Sequence, residues 1–249
     1  VADSFASVAR TVGDEEFAKD LTKKADELRE SVDRVAYRDG YYLRAFFDDG
    51  TSMSGIDSLP QSFATFCRMP YKERRMSALS CAIDKLYDAN HGVIRLFWPP
   101  LTPRDKTAGY VNFYAPGTRE NGGQYTHAAV WLAGALLKEG FCDEAYRMLC
   151  DINPVNKYFS EEVAERYLGE PFALAGDVYA AGSYSGRAGW TQYTGSAAWL
   201  WRTVVTDMLG IHEKSGVLSV TPRLPAAIPS YTATYDDGKN IHKIKVTQP

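Results

Sequence analysis

From Ala128 to Leu137 the chain reads Ala-Ala-Val-Trp-Leu-Ala-Gly-Ala-Leu-Leu, ten residues without a charged side chain. Coiled into a helix, this stretch is apolar on nearly every side. Such a helix has to be buried, so the rest of the chain must surround it. The pattern predicts a helix over 124–138 and, after the short Glu139-Gly140 link, an amphipathic partner over 141–151. That is an αα-hairpin with one inner and one outer member. A second apolar run, Trp190 to Trp201, repeats the inner type. Repeated pairs with all-apolar inner members predict an α/α toroid or its larger part, although no exact sequence repeat is present.

The segment feeding the first inner helix, Pro116-Gly117-Thr118-Arg119-Glu120-Asn121-Gly122-Gly123-Gln124-Tyr125-Thr126-His127, is turn-prone and polar. Backbone N–H groups are unpaired at a helix start, and the helix dipole favours an anion there. Arg119, Glu120, Asn121, Gln124 and His127 add charge and hydrogen-bonding capacity. Thr194-Gly195-Ser196 offers the same features at the start of the second inner helix. Each stretch is equally compatible with an ordinary capped helix start. Trp190, Tyr193 and Trp199 offer a stacking face or core packing.

The other elements follow from local pattern. Residues 3–12 predict a helix. Asp14 caps a second one, whose stripe runs Phe17, Leu21, Ala25, Leu28, Val32, Val35. Tyr37 to Phe47 predicts a short hairpin turning at Asp39-Gly40. Asp57 or Ser58 caps a helix with Pro60 in its first turn, and Gln61 is expected to make a supporting contact. Residues 70–88 predict a helix facing inward through Met76, Leu79, Ile83 and Leu86, and 93–98 an extended piece. Ser160-Glu161-Glu162 is a capping pattern, and the glycine-containing stretch from Ala180 to Gly189 is expected to be exposed. After Gly210 three strand-like runs appear, at 216–221, 231–235 and 242–246, the last two joined by the Asp236–Asn240 turn. The division is a helical part over 1–210 and a small β part over 211–249.

Composition narrows function. A net charge of −3 implies no general nucleic-acid or anionic-membrane surface. No apolar run approaches the roughly 20 residues of a membrane span. Cys67, Cys81, Cys142 and Cys150 form no C-x-x-C pair and are expected to be reduced core thiols of a cytosolic protein. His91, His127, His212 and His242 lack zinc-site spacing, so no metal is expected. The chain opens at Val1 directly in a helical pattern, as a piece of something longer or a processed chain would.

Gly122-Gly123-Gln124-Tyr125-Thr126-His127-Ala128-Ala129, preceded by Pro116-Gly117-x-Arg119-Glu120-Asn121, resembles the inverting phosphorylases of glycoside hydrolase family 94. The resemblance is nearest to the C-terminal region of cyclic β-1,2-glucan synthases and to 1,2-β-oligoglucan phosphorylases, relatives of cellobiose and chitobiose phosphorylases. It continues through Tyr42–Thr51, Ile56-Asp57-Ser58-x-x-Gln61-Ser62, Ile152–Asn156, Glu170-Pro171-Phe172, Asp177-Val178-Tyr179 and Gly186–Ala197. It implies a mainly α fold, the C-terminal part of an (α/α)6 barrel, followed by a small β-strand domain that is part of a β-sandwich or jelly roll. It implies transfer of a glucosyl unit between a β-linked glucose oligosaccharide and inorganic phosphate with inversion, phosphate being co-substrate and no cofactor needed. His127, Thr194 and Gly195 match the family's phosphate-binding residues. Arg119, Glu120 and Gln124 are weaker candidates for substrate contact.

Three departures qualify this. The family's general-acid aspartate, in a Trp-Asp-Asn-Asp-like motif, is expected upstream of Val1, as is a phosphate-binding arginine. The segment between Thr51 and Ile56 is shorter than the family's usual loop. Gly176 stands near where some disaccharide phosphorylases place a sugar-binding glutamine. The expected partners are a β-glucan, phosphate and a second copy or the remainder of a longer polypeptide, in the cytoplasm or, for a synthase, on the cytoplasmic side of an inner-membrane protein. The alternatives are an inactive carbohydrate-binding or structural module and a toroid hydrolase, which needs two carboxylates flanking the bond. Asp177, a lone carboxylate, does not by itself nominate such a pair.

Overall fold

The computed structural model describes residues 1–105, 109–192 and 194–248. Helices α1 (Ala2–Thr11) and α2 (Glu15–Ala36) pack as a hairpin turning at Gly13. The Asp14 side chain accepts the Phe17 N–H at 3.1 Å, capping α2 as expected. Strands β1 (Tyr37–Arg38) and β2 (Tyr41–Tyr42) form the predicted small hairpin. Then β3 (Ile56–Asp57) leads into α3 (Ser58–Phe66), followed by α4 (Lys72–Leu86) and the hairpin β4 (Tyr87–Asp88) with β5 (Val93–Ile94). Strand β6 (Phe97–Trp98) returns to pair antiparallel with β3. Strand β7 (Gln124–Tyr125) feeds α5 (Thr126–Glu139), and α6 (Cys142–Ile152), α7 (Glu161–Tyr167), β8 (Asp177–Val178) and α8 (Thr194–Arg202) complete the helical part. Helix α8 runs on into a π-helical turn over Thr203–Met208. Two antiparallel hairpins close the chain, β9 (Ile211–Lys214) with β10 (Val217–Val220) and β11 (Ser230–Asp236) with β12 (Ile241–Thr247). The first of these strands was not anticipated.

Helix α5 is the hub. Val130, Leu132, Ala133, Ala135, Leu136 and Leu137 are completely buried, against α3, α4, α6 and α8. Leu79 and Leu86 of α4 and Ala145 and Met148 of α6 join the same cluster. The Schellman-type stop at Gly140, in the left-handed region at φ 95°, reverses the chain between α5 and α6. A Lys138–Asp207 ion pair ties the end of α5 to the π-helical turn.

The Ile-Asp-Ser-x-x-Gln stretch serves as a structural clasp. Asp57, fully buried, caps α3 by accepting the Leu59 N–H at 2.7 Å and pairs with Arg44 Nη1 at 2.5 Å. Gln61, also fully buried, accepts the Tyr42 N–H at 2.8 Å and donates to the Tyr42 carbonyl at 2.9 Å. One side-chain amide thus pins the β1–β2 hairpin to α3 in the manner of a strand partner.

Several expectations need correction. The α2 stripe is covered only in part: Ala25 is buried and Leu21 packs against the α1–α2 cluster, but Phe17, Leu28, Val32 and Val35 are exposed, and Ala18 and Ala36 pack inward from outside the stripe. Helix α1 meets only its first part, with Phe5 edge-on to Phe17 at 6.3 Å between centroids. Helix α8 is likewise half-covered, with Trp201 67% exposed. Met76 lies at the edge of α4's inner face rather than on it. None of the four thiols is fully buried and Cys67 is exposed, because it caps the end of α3 at the surface. Ser160 stands at the cap position of α7 without a side-chain cap bond. The 180–189 stretch is exposed only in part, since Ser185 and Gly186 are buried under the β8 connection.

Leu136→Ala is expected to destabilise the chain by about 2–5 kcal/mol, read as a shift of the urea midpoint at unchanged slope. Burial raises the Asp57 carboxyl from 3.8 to about 6 against the opposing pull of Arg44. The folded chain therefore binds a proton that the unfolded chain releases. This contribution to stability is full below pH 3.8 and is lost as pH rises through about 6. Between pH 4 and 7 the wild type is expected to lose stability relative to Asp57→Asn, and parallel urea-midpoint curves would exclude Asp57 as the source.

Candidate functional site

The polar loop before α5 is built on Asn121. Its fully buried amide accepts the Leu101 N–H at 2.6 Å and donates to the Leu101 and Tyr114 carbonyls at 2.9 and 2.8 Å. The Gly117 N–H closes the turn on the Asn121 carbonyl at 2.7 Å. At its tip Arg119 adopts φ 45°, a left-handed conformation that is uncommon outside glycine, asparagine and aspartate. A Cβ at Gly123 would stand 2.7 Å from the Arg119 nitrogen, so the tightness of this turn requires that glycine. The Arg119 guanidinium lies 4.1 Å from the Trp190 ring centroid and 5.5 Å from that of Tyr114.

Gln124 belongs to the scaffold. It is buried, its Oε1 accepts the Ile94 N–H at 2.9 Å, and its Nε2 donates to Thr126 Oγ1 at 3.3 Å. The candidate substrate contact at Gln124 is thereby replaced by a brace between β5 and the start of α5.

His127 occupies the first turn of α5, half-buried. Its ring lies 4.4 Å from Trp131 and 6.1 Å from Trp199, centroid to centroid, and Trp131 in turn meets Phe63 of α3 at 5.3 Å. An aromatic wall thus runs across α3, α5 and α8, with Trp199 part of it. Burial lowers the His127 pKa below its ordinary 6.5. Its Nε2 is enclosed and meets no hydrogen-bond partner among the described residues. Gly195, in the first turn of α8, stands beside it: a Cβ there would be 3.7 Å from His127 Cε1. Two helix starts far apart in sequence are therefore side by side. Helix α5 has no side-chain cap, in contrast to α3. Thr194 is the first residue of α8, but its side chain lies outside what is described, as does the whole of Tyr193.

Glu120 carries a second enclosed, unpartnered atom, Oε2. Near it lies Asp177 of β8, 5% exposed, which sequence reasoning set aside as an isolated carboxylate. Its Oδ1 accepts the Trp190 N–H at 3.1 Å. Burial raises its pKa, with the Trp190 N–H and Arg119 opposing and Glu120 adding to the rise. The sequence does hold a signal for this contact in Gly189, where a Cβ would stand 2.5 Å from Asp177 Oδ1. Among the described residues, no group of three His, Cys, Asp or Glu side chains is placed to hold a metal.

Chemically, this is a helical scaffold that presents two adjacent helix starts, a desolvated imidazole and a rim of carboxylate, guanidinium and indole. It suits an anion held next to a polyhydroxylated ligand. Residues 1–210 match the family described as the glycosyl hydrolase 94 superfamily, catalytic domain. The chain belongs to that family. It is 37% identical over 230 residues to the cyclic beta-(1,2)-glucan synthase NdvB of Rhizobium meliloti (strain 1021), covering 90% of this chain and 8% of the synthase. It is 28% identical over 231 residues to the solabiose phosphorylase of Paenibacillus borealis, covering 88% of this chain and 29% of that enzyme. A 3-O-beta-D-glucopyranosyl-beta-D-glucuronide phosphorylase of the same organism is 27% identical over 248 residues, 96% of this chain and 31% of that one. The chain thus spans less than a third of each of these relatives. An uncharacterized conserved protein from Thermus thermophilus shares the fold, with a TM-score of 0.50 and 16% identity over 80% of this chain and 43% of that one.

His127 is expected to titrate below 6.5 in the phosphate-free chain, as followed by the imidazole NMR shifts. A value at or above 6.5 would mean that the ring is solvated or already paired with an acid.

Proposed function

We propose that this chain is the phosphate-side portion of an inverting β-glucoside phosphorylase or of the phosphorylase-like region of a cyclic β-1,2-glucan synthase. Helices over 1–210 form one arc of an (α/α)6 barrel, and 211–249 begin a β-sandwich-like domain. The exposed α2 stripe and the exposed face of α8 are then the two margins at which further barrel helices would dock. The observation that carries the reading is the adjacency of His127 and Gly195 at two helix starts, with His127 Nε2 enclosed and unpartnered.

In this reading phosphate sits between the starts of α5 and α8, held by His127, Thr194 and the Gly195 backbone. One phosphate oxygen forms the new bond to the anomeric carbon as the glycosidic bond breaks on the opposite face. A general acid upstream of this chain gives its proton to the leaving oxygen, and the product is α-glucose 1-phosphate. Phosphate brings its own negative charge, so no general base is required. Arg119 and Glu120 line the sugar side, and Gln124 acts through the α5 start. Two relatives' names, a β-1,2-glucan synthase and a 3-O-β-D-glucopyranosyl-β-D-glucuronide phosphorylase, support a β-linked glucoside as the other substrate.

The test is release of α-glucose 1-phosphate from β-1,2-glucooligosaccharides and from cellobiose, with and without phosphate. It is run on this chain and on a polypeptide extended upstream, each with its His127→Ala variant. The extended protein is expected to give phosphate-dependent product that falls by about 100-fold in the variant, and the 249-residue chain alone to give none. Glucan binding indifferent to phosphate in both forms, without turnover, would favour an inactive binding module instead. Product from the shorter chain would put the acid inside it.

A further inference from the structure

Strand β8 joins the two helix starts to each other. On one side it pairs with β7, Gln124 opposite Val178 and Tyr125 opposite Asp177, and the Gly176 carbonyl accepts the Thr126 N–H at 2.9 Å at the first residue of α5. On the other side the chain running into α8 lies along it. Val178 bridges to Ala188, the Gly189 N–H donates to the Asp177 carbonyl at 2.9 Å, and the Gly176 N–H donates to the Trp190 carbonyl at 2.5 Å. Three short backbone segments, 124–126, 176–178 and 188–190, therefore form one small junction with β8 in the middle. The 124–126 segment runs directly into α5, and 188–190 precedes α8, whose start at Thr194 lies beside that of α5.

One side chain locks this junction. Asp177 Oδ1 accepts the Trp190 N–H at 3.1 Å, adding a carboxylate bond where the backbone pairing ends. Gly189 lets the carboxylate approach, since any side chain there would meet both of its oxygens at 2.5 and 2.6 Å. A buried carboxylate with a raised pKa is costly to keep, and the bond to the Trp190 N–H is its main local compensation. Backbone bonds from the Gly176 N–H to the Trp190 carbonyl and from the Tyr179 N–H to the Arg187 carbonyl, at 2.5 and 2.9 Å, pair 176–179 with 187–190, and the Asp177 bond adds a side-chain hold on Trp190 at the end of this ladder nearest α8.

We propose that Asp177 is a positioning residue: through the Trp190 N–H it sets the separation of the α5 and α8 starts, and so the width of the anion site between His127 and Gly195. The proposal rests on the phosphate reading for its consequence, but the separation itself is a property of the free chain. A site of this kind tolerates only a fraction of an ångström of play before binding falls.

The experiment uses the 249-residue chain in three variants, Asp177→Asn, Asp177→Ala and Gly189→Ala. The first readout, without phosphate, is the nuclear Overhauser contact between the His127 Hε1 and the Gly195 α-protons. The second is the inorganic phosphate dissociation constant from the His127 imidazole shifts. Asp177→Asn keeps the acceptor and is expected to retain the contact and a phosphate affinity within about threefold of wild type. Asp177→Ala and Gly189→Ala attack the bond from opposite sides. Both are expected to lose the contact and to weaken phosphate by about tenfold or more, while the shifts of Leu132 and Leu136 in the core stay in place. If either of the last two variants, folded by that criterion, keeps the contact, the positioning role is overturned. If the contact behaves as expected and the wild type shows no phosphate response at all, the positioning role stands and the phosphate reading falls.

Discussion

Burial of α5 is the constraint from which the rest of this structure follows. A helix with no polar face has no orientation in which it can meet water, so every neighbour must contribute an apolar side to it. Helix α4 gives Leu79 and Leu86, α6 gives Ala145 and Met148, and the turn after α8 gives Met208. At about 25 cal/mol per Å² of apolar surface removed from water, this cluster is the main favourable term of the fold. The consequence for function is geometric. Because α5 cannot shift without opening that cluster, its first turn, with His127, is a fixed point against which the loops are placed.

The small strands are the second layer of that placement. None of the two-residue ladders β3–β6, β4–β5 and β7–β8 could persist alone. Buried side-chain amides and a carboxylate brace the chain around them in the manner of a strand: Gln61 on Tyr42 of β2, Gln124 on Ile94 of β5, Asp177 of β8 on Trp190, and Asn121 on Leu101 in the loop after β6. These bonds hold backbone donors and acceptors that would otherwise be buried unpaired. The loops around the helix starts therefore have defined conformations without extended sheet, which is why residues as far apart as His127 and Gly195 meet.

The sequence was legible where a periodic pattern met its own partner. The all-apolar character of α5, the amphipathic α6, the Asp14 cap and the Asp57 cap all appear as expected. So does the last hairpin, whose turn at Asp237-Gly238 follows from composition. It misled where periodicity reports an apolar face without saying what covers it. The Phe17–Val35 stripe of α2 reads as the apolar side of an outer helix and α8 as an inner helix, yet Phe17, Leu28, Val32, Val35 and Trp201 are exposed here. Polar side chains were the other blind spot. Spacing cannot distinguish an amide that binds ligand from one that replaces a strand, so Gln124 looked available and Asp177 looked idle. Only the carbonyls and N–H groups brought to them by the fold decide those roles.

The contrast between α3 and α5 is between a helix start that its own chain caps with a side chain and a neighbour left without such a cap. Each follows a two-residue strand, and each begins with the unpaired donors and positive dipole end common to all helices. At α3 the chain fills that position itself: Asp57 receives the Leu59 N–H, and its charge is shared with Arg44. The cost shows in a carboxyl raised to about 6, because burial outweighs the guanidinium and the cap bond together. At α5 the equivalent position is Tyr125, whose side chain supplies no cap bond, and in the first turn His127 Nε2 is enclosed without a partner among the described residues. A carboxylate at Tyr125 would complete α5 as Asp57 completes α3, and would set a fixed negative charge where the proposed phosphate must enter. In the proposed reading the missing cap keeps α5 receptive, and the rings of Trp131 and Trp199 cover one side of His127 at that end. A partly desolvated donor loses less solvation on binding an anion than an exposed one, so the burial that lowers the His127 pKa would also strengthen its hydrogen bond to the proposed phosphate.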